Sequence, residues 1–337
     1  MNILKSTTAS VLCLGVAATG SAMAETLVFS SNVPPSHWAN AEMIVPFQEC
    51  VTERTNGEID FNFFPGGQIA NHTASLEALN KGIAQVGYVV VSALTDKMPL
   101  SNISMLPGMG STVVEMTEAN RKVIDGDGPL AQEFRQNNIV PLLINMYPPY
   151  QVMSNGAPFA TLADLAGKKI SVGGGAHTFT VQGIGALAIE MGAGDIYMAL
   201  QQGTVDGAML STASLPPYKL EEQIDSLSSN GTFGSAAAVV SIDAGVWDTL
   251  SDGNKTAFLD CGKEGETKIA EWLDAETARL KEALVAQGVD VYDFTPEALV
   301  EIDAALTRSR EDYIGRLADR GLPAEEAYQD YLTALGR

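Results

Sequence analysis

Residues 164–207 read DLAGKKISVGGGAHTFTVQGIGALAIEMGAGDIYMALQQGTVDG. Lys169-Ile-Ser-Val172 reads as a short strand that enters three glycines, Gly173-Gly174-Gly175. A helix is expected from near Thr178 to Met191-Gly192, and a second of one to two turns over Asp195–Gln202, closed by Gly203. Val205-Asp206-Gly207-Ala208 then opens a new strand. The unit is βαβ-like, with a loop at the carboxyl end of its strand, where open α/β sheets usually hold ligands. Glycines let backbone N–H groups approach a bound group, and a helix start presents partial positive charge to it. A glycine-rich strand–helix turn is also a common structural device. The stretch therefore decides the fold class, α/β, and leaves the chemistry open.

Upstream, Thr26–Ser31 and the alternating Ile59-Asp-Phe-Asn-Phe-Phe64 read as strands, with an amphipathic helix over 41–54 between them. Thr73 is placed to cap a helix ending at Lys81-Gly82, and 84–92 is an apolar strand. This is β-α-β-α-β, the pattern of a mainly parallel sheet covered by helices. Helices follow over 115–124 and 129–137. A buried strand, 139–146, then runs into the stiff turn Tyr147-Pro-Pro-Tyr150, and Gln151–Ser154 resumes it. Composition shifts here, marking a crossover into a second lobe. Downstream come a strand over 236–242, a long amphipathic pattern from Trp247 to Ala286, and two helices over 296–335.

The whole chain has 337 residues and a formal charge of −21. That balance argues against nucleic acid and anionic membrane surfaces as partners. Lys5, the apolar run 10–19 and Ala22-Met-Ala24 read as a cleaved signal peptide over residues 1–24. The expected product is an exported, periplasmic protein not embedded in the membrane; loss of Lys5 takes the charge from −21 to −22. Cys50 and Cys261 remain on separate expected helices. An oxidising compartment permits a disulfide between them, and the sequence leaves their distance open.

Several pieces in order resemble one family, the DctP-type periplasmic solute-binding proteins of TRAP transporters. They are Thr55-Asn-Gly57, Phe64-Pro-Gly-Gly-Gln-Ile69, Leu79-Asn-Lys-Gly-Ile-Ala84, Leu162-Ala-Asp-Leu-Ala-Gly-Lys-Lys-Ile170 and, most specifically, Tyr197-Met-Ala-Leu-Gln-Gln-Gly-Thr-Val-Asp-Gly207. Val246-Trp-Asp-Thr-Leu250 and Ala286-Gln-Gly-Val-Asp-Val291 also fit. The resemblance implies two α/β lobes with a ligand cleft between them, hinge closure and a long helix touching both. It also implies a membrane permease partner and uptake driven by an ion gradient. The expected division is 25–148 plus 237–275 for lobe I, and 149–236 plus 276–337 for lobe II.

The chain departs from that family where the family anchors its ligand. The usual carboxylate-binding arginine falls on Ser171. A second arginine of some members falls on Gln151, and an asparagine of some members falls near Leu210. Without a paired cation a buried carboxylate is costly, so a simple dicarboxylate or sialic-acid-like ligand is disfavoured. One reading keeps an anion on the Gly173–Gly175 loop and its helix start, with His177 adding a donor. The other takes a neutral or amine solute between aromatic faces, and leaves an amine's carboxylate partner unnamed. Expected ligand contacts are His37, Trp38, Asn71, His72, Tyr150, Gln151, Ser171, Gly174, His177, Leu210, Ser211 and Phe233. The spacing of His37, His72 and His177 matches no metal motif, and no cofactor is expected. A hydrolase using Ser171 or Ser211 lacks a G-x-S-x-G elbow or a base at a recognised spacing. A sensor that presents ligand to a receptor would share the transport protein's fold.

Overall fold

Strands such as Ile59–Phe64 and Val86–Val90 form where β-branched and aromatic residues alternate or run together. A computed structural model describes residues 25–337, so the expected signal peptide lies outside the described residues. The strands are β1 (Glu25–Ser30), β2 (Ile59–Phe64), β3 (Val86–Val90), β4 (Ile139–Met146), β5 (Gln151–Ser154), β6 (Lys169–Val172), β7 (Leu187–Glu190), β8 (Gly207–Leu210), β9 (Ser226–Ser228), β10 (Ala237–Asp243) and β11 (Asp290–Tyr292). They make two sheets, ordered β2-β1-β3-β10-β4 and β11-β9-β5-β8-β6-β7. In the first, β1 pairs in parallel with β2 and β3, and β10 enters antiparallel between β3 and β4. In the second, β6 is parallel to β7 and β8, while β5 runs antiparallel to β8 and β9. This is the expected α/β architecture with two lobes.

Two crossings join the lobes. The Tyr147–Tyr150 turn and the segment before β10 lie side by side: Tyr147 N–H donates to Ala236 O at 2.8 Å and Tyr150 N–H to Gly234 O at 2.7 Å. Prolines 148 and 149 lack donors, so the bonds fall on the flanking tyrosines. The long helix Asp252–Ala286 starts on the Ser251 side chain, which accepts from Asn254 N–H. It packs on β4 and on helices Val45–Arg54 and Val113–Ile124, then reaches β11 and the turn Thr212–Ser214 of the second lobe. Gly262 lets it approach β4 so closely that a Cβ there would run into the Leu142 carbonyl. A disulfide between Cys50 and Cys261 fastens it to helix Val45–Arg54.

Besides Thr73, whose hydroxyl donates to Asn71 Oδ1 at 3.1 Å and does not cap helix Ser75–Asn80, two expectations need correction. The helix expected over 178–191 runs only from Ala176 to Gly183, and Leu187–Glu190 is strand β7, paired with β6. Gly183 packs so tightly on helix Pro296–Asp319 that an added Cβ would lie 2.6 Å from the Ser309 Cβ, and Gly185, at φ +80°, turns the chain out of the helix. The second correction concerns 276–337, expected entirely in lobe II. Helix Pro296–Asp319 does pack on Ala176–Gly183, but the last helix, Ala324–Ala334, returns to lobe I. It buries Ala327 and Tyr331 against Val113–Ile124, where Asn120 donates to the Tyr331 hydroxyl at 3.1 Å.

Candidate functional site

The main cavity lies between the lobes and holds about 490 Å³, within the usual range for small-molecule sites. Lobe I supplies Val33, His37, the loop Asn71–Thr73 and the segment after β3. Lobe II supplies the carboxyl ends of β6, β7 and β8, and the crossing turn supplies Tyr147 and Tyr150. The strand ends meet here because both sheets point their carboxyl edges at the seam, as in other open α/β folds.

One wall is aromatic and hydroxylic. Behind the lining Tyr147, Asn145 Nδ2 donates to the Tyr88 hydroxyl at 2.7 Å, and that hydroxyl lies 3.1 Å from the Tyr147 hydroxyl. Burial raises the pKa of Tyr88 and Tyr147 well above ordinary tyrosine and pushes Tyr218 up to about 12, so these rings act as neutral donors and acceptors. His37 sits among Trp38, Tyr147 and Tyr218, with ring centroids 4.7, 6.4 and 5.8 Å away. Trp38 stands behind them and joins the lobes: its Nε1–H donates to Ala213 O at 3.1 Å.

The histidines are held neutral. His37 Nδ1 accepts from Ala39 N–H at 3.1 Å, so the ring proton is on Nε2. Burial, and secondarily the neighbouring His72, lowers its pKa to about 3. Burial also lowers His72 and His177. His177 stacks on Tyr150 at 4.8 Å, and its Nε2 lies 2.6 Å from the Ser235 carbonyl. A carbonyl only accepts, so Nε2 carries the proton and Nδ1 is a lone pair; that buried Nδ1 has no partner.

The opposite wall is the Gly173–Gly175 loop and the end of β7. Gly174 and Gly175 have positive φ, at +96° and +61°, so the loop closes in a conformation glycine adopts without strain. Glu190 lies against it: a Cβ on Gly174 would be 3.6 Å from Glu190 Oε2, and Thr178 Oγ1 donates to Oε1 at 2.5 Å. Among the described residues no lysine or arginine lines the cavity, and Glu190 is its single charged lining residue.

Of the expected contacts, the cavity brings together His37, Asn71, His72, Tyr150, Gly174, His177 and Leu210. The other five lie elsewhere. Trp38 backs the wall. Gln151 turns away to hold the following loop: it donates to Gly231 O at 2.7 Å and accepts from Gly231 N–H and the Ser228 hydroxyl. Ser171 and Ser211 are buried within the second lobe, where β6 and β8 present Val172, Met209 and Leu210 to the cavity instead. Phe233 is fully buried and packs on Phe294. Sequence reasoning missed Glu190 because residue 190 was assigned to a helix; the Gly-Ile-Gly break at 183–185 was the available signal. It also missed Tyr218, whose position depends on the Thr212–Ser214 turn.

Comparison with known proteins bears on this arrangement. Residues 29–315 match the family model for bacterial extracellular solute-binding protein, family 7, named DctP. The C4-dicarboxylate-binding periplasmic protein DctP of Rhodobacter capsulatus is 23% identical over 325 residues, 93% of this chain and 94% of that one. The sialic acid-binding periplasmic protein SiaP of Vibrio cholerae is 21% identical over 296 residues, 86% and 89% of the two chains. A marine metagenome TRAP solute-binding protein specific for aromatic acid ligands superposes with a TM-score of 0.86 at 20% identity, over 92% of this chain and 98% of that one. A Roseobacter denitrificans protein with bound β-D-glucuronate gives 0.77 at 23%, over 90% and 99%. Members of this family are binding proteins of transport rather than enzymes. No described helix is long and apolar enough to cross a membrane. With the family model matched across most of the length and the two-lobed fold shared, this chain belongs to the DctP family of TRAP solute-binding proteins.

Proposed function

We propose that this protein, exported by its first 24 residues, captures a small organic solute that carries no net negative charge and delivers it to a TRAP-type permease. One observation carries the reading: no lysine or arginine among the described residues lines the cavity, and its histidines are held neutral by burial. A carboxylate bound there would lose hydration with no paired cation. The walls instead offer aromatic faces and uncharged hydrogen-bonding groups, with His37, Asn71, His72, Tyr150 and His177 as the proposed contacts and Tyr147 and Tyr218 added to them. Gln151, Ser171, Ser211 and Phe233 take supporting roles in this reading. A second reading, an anion on the Gly173–Gly175 loop, is favoured by the structurally similar proteins, whose described ligands are aromatic and sugar acids. The Glu190 carboxylate against that loop opposes it.

Thermal shift separates the two, because a ligand that binds only the folded state raises Tm. Screening dicarboxylates, uronates, aromatic acids, aromatic alcohols and amines should give its largest shifts outside the carboxylates. A largest shift from any carboxylate overturns the proposal and returns the anchor to the glycine loop.

A further inference from the structure

Within the reading of a non-anionic solute, on which this rests, we infer that the solute is an amine, bound through its N–H donors, with Glu190 as its counter-charge. Two independent features of the cleft point the same way. The first is charge: Glu190 ends β7, a Gly174 Cβ would lie 3.6 Å from its Oε2, and the Thr178 hydroxyl holds its Oε1. A carboxylate so placed repels an anion and attracts an ammonium group.

The second is the polarity of what is left unpaired. His177 lines the cavity, and its Nδ1 is a buried lone pair without a partner, its tautomer fixed by the Ser235 carbonyl. Leaving a buried acceptor unpaired is costly, so a solute that supplies an N–H group recovers what a carboxylate would make worse. The stacked Tyr150 and His177 rings offer the solute's carbon skeleton an aromatic face, and aromatic faces attract cations.

The test uses matched trios that differ only in the polar group: benzylamine, benzyl alcohol and benzoate; 2-phenylethylamine, 2-phenylethanol and phenylacetate. Calorimetric titration of the purified chain should give the tightest binding for an amine within its trio. Glu190→Gln keeps the shape and the Thr178 bond. It should weaken the amine by about tenfold or more, the range for a hydrogen bond to a charged group, and leave the alcohol unchanged. An alcohol as tight as its amine, no amine that binds, or a Glu190→Gln chain that holds the amine unaltered overturns the inference. Each of those outcomes leaves the non-anionic reading standing, whereas a carboxylate that outbinds both of its partners brings down the two together.

Discussion

The two lobes are built to different standards. Lobe I has strands of five to eight residues, a disulfide, and a buried ion pair in which Arg121 meets Glu266 while Glu266 also accepts from Ile144 N–H at 2.6 Å. Lobe II has strands of three or four residues, and its edge strand β7 is half exposed. Yet β7 and the glycine loop bring the one charged lining residue and the positive-φ glycines to the cleft. The contrast separates two kinds of construction: lobe I holds the longer strands, the disulfide and the buried ion pair, and lobe II brings short strand ends and the charged Glu190 to the cavity.

That division can be broken by experiment. Cutting the disulfide with Cys50→Ala and Cys261→Ala should have the largest effect. It frees a loop spanning 211 residues, worth about 5 kcal/mol in the chain-entropy model, read as a fall in urea midpoint. Next, Arg121→Met strands Glu266, a buried carboxylate, and should cost about 3–5 kcal/mol. A loss under 1 kcal/mol for either would refute lobe I as the stabilising partner.

A smaller effect is set by pH. Buried His37 has its pKa lowered to about 3, against 6.5 in the unfolded chain. As pH falls below 6.5 the unfolded state takes the proton first, so folding stability present at pH 7 is lost progressively towards pH 3. Between pH 7 and pH 5 this ring accounts for about 2 kcal/mol. Denaturant melts of His37→Gln should therefore lose less stability over that interval than the parent, and equal slopes would contradict it. Smallest of all, Glu190→Gln should change stability by less than about 0.5 kcal/mol, as exposed substitutions do. If it unfolds the protein, β7 is a structural edge rather than a recognition element.

How far the sequence could be read follows the same contrast. Ile59–Phe64 alternates and Val86–Val90 is apolar throughout, so β2 and β3 announce themselves through local pattern. The short elements of lobe II depend on partners far away in sequence. Gly183 ends its helix because Ser309 presses on it, and Gln151 faces inward because Gly231 offers it both a donor and an acceptor. The cysteine pairing was equally hidden, since nothing near Cys50 or Cys261 records that their Cα atoms lie 5.9 Å apart. That positions 171 and 151 hold no arginine was legible. That Val172 rather than Ser171 reaches the cavity was not, because it depends on how β6 and β8 register and twist.

The indole of Trp38 is bonded across the seam and has Trp272 at 6.0 Å. Any separation of the lobes breaks the Nε1–H bond to Ala213 and admits water to a buried ring. The third tryptophan, Trp247, packs on Phe258 under Lys255, away from the seam, and serves as an internal constant. The molecule thus carries its own optical gauge: solute-driven closure, which the family resemblance implies, should shift intrinsic emission to the blue without any attached dye.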